Sequence, residues 1–353
     1  MDSYMSFPKS NSVVFFILLS LLIFGVSSCK SSAPVENEDM KGRNYTWTAD
    51  TINIPMYPLW SLWGSSESNL WACGSSGSFK TNIWYTLANQ WVSKQLPILF
   101  DPESVWGFSE KDIWMVGQDL QIWHYDGNWT QSAQFSIPNY GFGIFMNIWG
   151  NAPNNIFAVG FADSSHQRLS LIYHYDGNSW ARVNIPKMPY QLSKILGLKG
   201  DNSRYYILAH NDVTKPGADS VHVLFYDGTS FKEIFSGFYN NAEGLGLEEI
   251  DNTIYLIKGN KIYQIINDNI VFYLDYPNTS YTVGIAGRNA KDLFILLENG
   301  IAHYNGKDVA FLYKFNNSDF YVNDTFCFQN SIYLLAYDYA TNFNIILKGK
   351  LNN

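Results

Sequence analysis

The sequence predicts an all-β fold, a seven-bladed β-propeller of four-stranded antiparallel blades. Three observations carry this expectation. Ser104 to Pro138 holds four short apolar runs separated by polar turns, and nearly the same text returns at Asn147 to Pro186. A four-strand unit repeated at this period is the mark of a propeller. A first-strand anchor then recurs at Trp63-Gly64, Trp106-Gly107, Trp149-Gly150 and Leu196-Gly197, around Leu245 to Leu247, and at Ala286-Gly287 and Phe326-Cys327. Finally, the last unit has no fourth strand after Asn344 to Gly349, whereas Tyr45 to Pro55, ahead of the first unit, has the pattern of the fourth strand at Trp180 to Pro186. The N-terminal strand should therefore complete the last blade and close the ring, which removes a free sheet edge and ties down both termini.

Within each unit the strands follow from residue type. The second strands (NLWACG, DIWMVG, NIFAVG, RYYILAH, TIYLIK, DLFILL, SIYLLAY) are nearly continuous apolar runs. Such runs suit strands covered on both faces by neighbouring blades. Third strands end in Tyr125-Asp126-Gly127, Tyr175-Asp176-Gly177, Tyr226-Asp227-Gly228 and Tyr304-Asn305-Gly306, and these pairs supply the positive φ of a hairpin turn. Fourth strands open at Trp91, Trp129, Trp180 or Phe231.

The front of the chain is different. Lys9 precedes an apolar run from Val13 to Val26 that is too short for a comfortable membrane span, so residues 1–28 read as a signal peptide. Val26-Ser27-Ser28-Cys29 resembles the lipobox of bacterial lipoproteins. The resemblance implies cleavage before Cys29, acylation of its sulfur by palmitate-like chains, and usually of its new amino group. Several acyl chains give stable anchoring where one does not. Lys30 follows, rather than the aspartate linked with inner-membrane retention, so the resemblance implies the outer membrane, on either its periplasmic or its cell-surface side. Residues 29–44 form the lipidated cysteine and a polar tether, and residues 45–353 form a single propeller domain. The repeat pattern WG…D-[IV]-[WF]-x-V-G…H-Y-D-G-x-x-W, complete in units two and three, resembles that of Bacteroidota-like bacterial propeller lipoproteins.

The chain carries a net charge of −8, with 15% charged and 17% aromatic residues. It has ample material for a core. The absence of a basic patch argues against nucleic acid as a partner. No CxxC motif or Cys/His group at zinc spacing occurs, so no cofactor and no metal is expected. Cys73 stands where Val116 and Val159 stand in later units and should be a buried thiol. Cys327 belongs to the last unit, beside the first in a closed ring, so a Cys73–Cys327 disulfide is an alternative.

Residues shared by several units are framework. His124, His174 and His303 all precede a third-strand Tyr. Asn69, Asp112, Asn155 and Asp292 open the second strands and are expected to cap the turns there. Ser61, Ser104, Asn147, Lys194, Gly284 and Asp324 share a channel-lining slot. They are expected to be solvated, with Lys194 far from Asp324.

What the units do not share lies on the face built from second-to-third and fourth-to-first loops. Two inserts, Phe161 to Arg168 and Asn211 to Asp219, join unrepeated loop aromatics there, Phe100 among them. The candidate ligand-binding residues are Tyr57, Tyr140, Phe142, His166, Arg168, Tyr190, Tyr239, Tyr281 and Tyr321. Aromatic rings among polar groups suit a sugar or a protein hot spot. The expected function is a lipid-anchored envelope protein that binds glycan or protein without catalysis. One alternative is a propeller-type glycoside hydrolase or polysaccharide lyase, drawing on Asp101, Glu103, Asp163, His166, Asp219, Glu243 or Asp324. Another is a scaffold subunit of an envelope complex.

Overall fold

A computed structural model describes residues 43–52, 57–75, 82–96, 100–165, 167–211, 220–238, 244–276, 282–315 and 319–352. The expected signal peptide, Cys29 and residues 30–42 of the expected tether lie outside these residues. Among the described residues no helix is long and apolar enough to cross a membrane.

The strands form seven four-stranded antiparallel sheets. In chain order the blades run 59–94, 102–134, 142–182, 191–238, 245–275 and 282–314, and blade seven joins 320–351 to the N-terminal strand Tyr45–Ile52. That strand pairs antiparallel with Phe343–Leu351, from Tyr45 opposite Leu351 to Ile52 opposite Asn344. The ring is thus closed by the N-terminal strand, as expected. First strands of neighbouring blades contact one another and surround the central channel.

The core lies between blades. One buried cluster joins Trp149 and Phe157 of blade three to Tyr206 and Leu208 of blade four and to Leu247 and Leu256 of blade five. This packing explains the Trp-Gly anchor. A side chain at Gly107 would meet Trp63 of the preceding blade at 2.7 Å, and one at Gly197 would meet Trp149 at 2.5 Å. Glycine leaves room for the neighbour's indole, which the seam then buries.

Three sequence expectations are corrected, and one, the buried Cys73 thiol, is borne out. Where turn caps were expected, Asp112, Asn155 and Asp292 each reach the third-strand histidine of their own blade. His124, His174 and His303 hydrogen-bond Asp112, Asn155 and Asp292 through Nε2 at 2.8, 2.7 and 2.6 Å. Each histidine sits opposite an aromatic residue of the second strand, and that residue lies two positions after the acid or amide, on the same face. In blade five the anchor slot belongs to Glu248, opposite Tyr255, as Trp63 is opposite Trp71. Its first strand lacks the bulge found in the other six, which shifts its register and blurs the repeat. Half of the insert Phe161–Arg168 is strand: the second strand of blade three runs Asn155–Asp163 and the third Arg168–Tyr175, with Asp163 paired to Arg168. Cys73 and Cys327 are both free thiols, and Cys73 is fully buried, as its valine-like slot required.

The domain also begins earlier than residue 45. Asn352 donates its backbone N–H to Asn44. Arg43 is buried, donates through Nε to His303 Nδ1 at 3.2 Å, and pairs with Asp308 at 2.6 Å. Arginine can only donate, so His303 accepts at Nδ1 and carries its proton at Nε2, where it donates to Asp292.

Candidate functional site

Six first strands carry one extra residue at their loop-side end. The bulged residues are Trp60, Glu103, Met146, Ser193, Val283 and Asn323, which ring the channel mouth. The next residue inward is the shared channel slot. There Asp324, Ser61, Ser104 and Asn147 accept hydrogen bonds from the backbone N–H of Leu62, Val105, Ile148 and Ile195 respectively, each on the following blade. This side-chain relay links blades seven, one, two, three and four. It corrects the expectation of merely solvated channel residues: Ser61 and Ser104 are buried.

The relay changes character at blade four. Lys194 cannot accept a hydrogen bond and instead pairs with Glu248 of blade five at 2.6 Å. Blade six offers Gly284 in the slot. Burial pushes the Asp324 carboxyl up to about 6, against the opposing pull of Lys194, while Glu248 raises it further. Burial, with Asp101 beside it, pushes Glu103 up to about 7.

The loop face also carries exposed aromatics. Trp60, Phe142, Phe238, Tyr321 and Tyr339 are between 38% (Trp60) and 65% (Phe238) exposed. All five lie at strand ends or turns of the loop face. Trp60, Tyr321 and Tyr339 belong to the adjoining blades one and seven, where Tyr321 stands opposite Tyr337 and Tyr339 packs edge-on to Tyr337 at 4.9 Å. Phe142 contacts Phe161, which Arg168 covers at 4.4 Å while holding Asp163 through two bonds of 2.9 and 2.8 Å.

The structure thus brings Phe142 and Arg168 together and leaves Tyr321 exposed. Tyr140 is half-buried against the core between blades two and three. Tyr190 is half-buried and stacks on His222 at 4.4 Å, and His222 is itself bonded to Glu233 and Ser220. Tyr57 is half-buried, and its carbonyl accepts from Asn344. Phe100 is core. His166, Asp219, Tyr239, Glu243 and Tyr281 lie outside the described residues. Sequence reasoning missed Trp60, Phe238 and Tyr339. Trp60 sits in the run Leu59-Trp60-Ser61-Leu62-Trp63, where only a bulge tells an outward ring from an inward one.

The opposite face holds the histidine locks and two polar cavities. One, of about 520 Å³ between blades six and seven, is lined by Arg288, Lys291, Asp292, His303, Gln329 and Asn330 among others. Arg288 there is committed to Asp292, to Tyr45 Oη at 2.7 Å and to the Gln329 carbonyl at 3.1 Å. The other, of about 330 Å³ between blades three and four, includes Asn155, His174 and Tyr205, which are already hydrogen-bonded to partners. Among the described residues no group of three His, Cys, Asp or Glu side chains is arranged to hold a metal ion.

The chain is a seven-bladed β-propeller. No family model matches it, and no curated protein does. Solved structures similar in fold include YCF48 bound to D1 peptide, at 13% identity over 89% of this chain and 98% of that one, with a TM-score of 0.60. Another is a catalytically inactive variant of virginiamycin B lyase from Staphylococcus aureus with quinupristin, at 13% identity over 88% of this chain and 100% of that one, with a TM-score of 0.63. A third is the extracellular domain of the putative hybrid two-component system BT4673 from B. thetaiotaomicron, at 13% identity and a TM-score of 0.57. That match covers 86% of this chain but 40% of the other.

Proposed function

We propose that this propeller is a lipid-anchored envelope protein of the bacterial propeller-lipoprotein type, acylated at Cys29 and held at the outer membrane, and that its loop face binds a peptide segment of a partner protein. The supporting observation is the set of exposed aromatics gathered on that face, on strand ends fixed by the ring. Rigid aromatic anchors of this kind dominate protein interfaces. Propellers of the same shape have been captured with a peptide, in YCF48, and with quinupristin, in the lyase. A glycan ligand is the competing occupant of the same rings.

The test places the intact lipidated protein in vesicles and exposes it to random peptides displayed on phage and to a glycan array. Peptides should be retained. Replacing Trp60, Tyr321 and Tyr339 by Ala should weaken retention by about 10- to 100-fold. Retention of glycans alone, or retention untouched by these changes, would overturn the reading.

A further inference from the structure

Glu103 is the odd member of the bulge ring. The other five blades place Trp, Met, Ser, Val or Asn in its slot, so only blade two has an acid there. Three nearby carboxylates are engaged: Asp163 by Arg168, Glu248 by Lys194, and Asp324 by the N–H groups of Leu62 and Thr325. The Glu103 side chain is half-buried and makes no hydrogen bond or ion pair with any described residue. Among the described residues, the charged group that acts on it is negative. Asp101 acts on it from just ahead of its strand. The charges of Glu103 and Asp324 both act on the Cys73 thiol of blade one and help raise it. Lys194 is occupied by Glu248, and its charge acts on Asp324.

A partly desolvated carboxyl beside another carboxyl, with no cation paired to it among the described residues, is costly when ionised. An incoming cation removes that cost, and a neutral hydroxyl does not. Trp60 fills the same slot on the adjoining blade with its ring partly exposed. An indole face next to a carboxylate is a recognition pair for ammonium or guanidinium. We propose that Glu103 is the seat for a lysine or arginine side chain of the bound peptide, flanked by Trp60 at the channel mouth. This inference rests on the peptide-binding reading and specifies its chemistry. The free carboxyl titrates near 7 and a cation pairs with its ionised form, so binding should tighten as pH rises through that value. Asp101 and Cys73 are the titratable groups around it, and the raised Cys73 thiol stays neutral over that range.

The experiment pans random phage-displayed peptides on the intact lipidated protein in neutral-lipid vesicles. It then measures the affinity of a retained peptide, and of its analogue with norleucine for each lysine or arginine, against wild type and Glu103→Gln. The retained pool should be enriched in lysine and arginine. Glu103→Gln should weaken the cationic peptide about tenfold and leave the norleucine analogue unchanged. Wild-type affinity should rise from about pH 6 to about pH 8, and this rise should flatten in the variant. A retained pool without cationic enrichment, or a cationic peptide bound equally by Glu103→Gln, would overturn the inference while leaving peptide binding standing. No retained peptide at all would overturn both.

Discussion

Glu103 and Asp292 show how one residue type is set to opposite ends of its range. Burial and Asp101 raise Glu103 to about 7 from the ordinary 4.5. The folded protein therefore holds that proton more tightly than the unfolded chain. The fold is weakened as pH rises from 4.5 through 7, and the penalty is absent below 4.5. Glu103→Gln should raise stability at about pH 8 by about 1–3 kcal/mol and leave it unchanged at about pH 4, as read by urea unfolding. Burial also opposes ionisation of Asp292, but hydrogen bonds from His303 and Arg288 outweigh it and hold the carboxyl well below 3.8. That stabilisation is present above pH 3.8 and is lost as pH falls through the lower, folded value. His303→Ala should cost about 2–4 kcal/mol at neutral pH, because it strips Asp292 of a partner and leaves the buried Arg43 short of an acceptor. The histidines were legible as framework because they recur. Their pairing with the second-strand acid was not, since cross-strand register depends on turn lengths that the sequence does not state.

At the level of the strand, the closing element is the most consequential. Tyr45–Ile52 covers the outer edge of blade seven, and Trp47 is buried in a cluster with Phe294 and Leu312 of blade six and Leu334 of blade seven. It therefore ties two blades as well as one sheet. Trp47→Ala should cost about 3–5 kcal/mol in urea unfolding. A loss within about 0.5 kcal/mol would mean that the strand does not seal the ring. This strand was readable as an orphan, because a missing fourth strand at one end and a spare one at the other leave a single arrangement. The bulges were not readable. One extra residue in a strand reverses which side chains face inward, and Trp60 and Glu103 look like ordinary strand residues until the pairing is known. Blade five defied alignment for the matching reason, since it lacks the bulge.

Across the whole molecule the two faces divide the work. The turn face carries the histidine locks, the Arg43 clamp and cavities whose main polar groups already have partners. The loop face carries exposed aromatics around a channel mouth where one carboxyl has no partner among the described residues. The fold was legible because repetition states a strand plan seven times over. The site was only partly legible, because binding residues are by nature those that do not repeat. Phe142, Arg168 and Tyr321 emerged by subtraction. Tyr140 and Tyr190 emerged the same way and prove to be packed beneath their loops.

If the loop face, and not the turn face, takes a peptide, then damage to the two faces must have unequal effects. The comparison to make is retention of a phage-selected peptide by wild-type protein, by the Trp60→Ala, Tyr321→Ala, Tyr339→Ala triple variant, and by a turn-face control, Lys291→Ala. The control should keep wild-type affinity, and the triple variant should lose about 10- to 100-fold. Full retention by the triple variant, with loss in the control, would contradict a peptide site on the loop face.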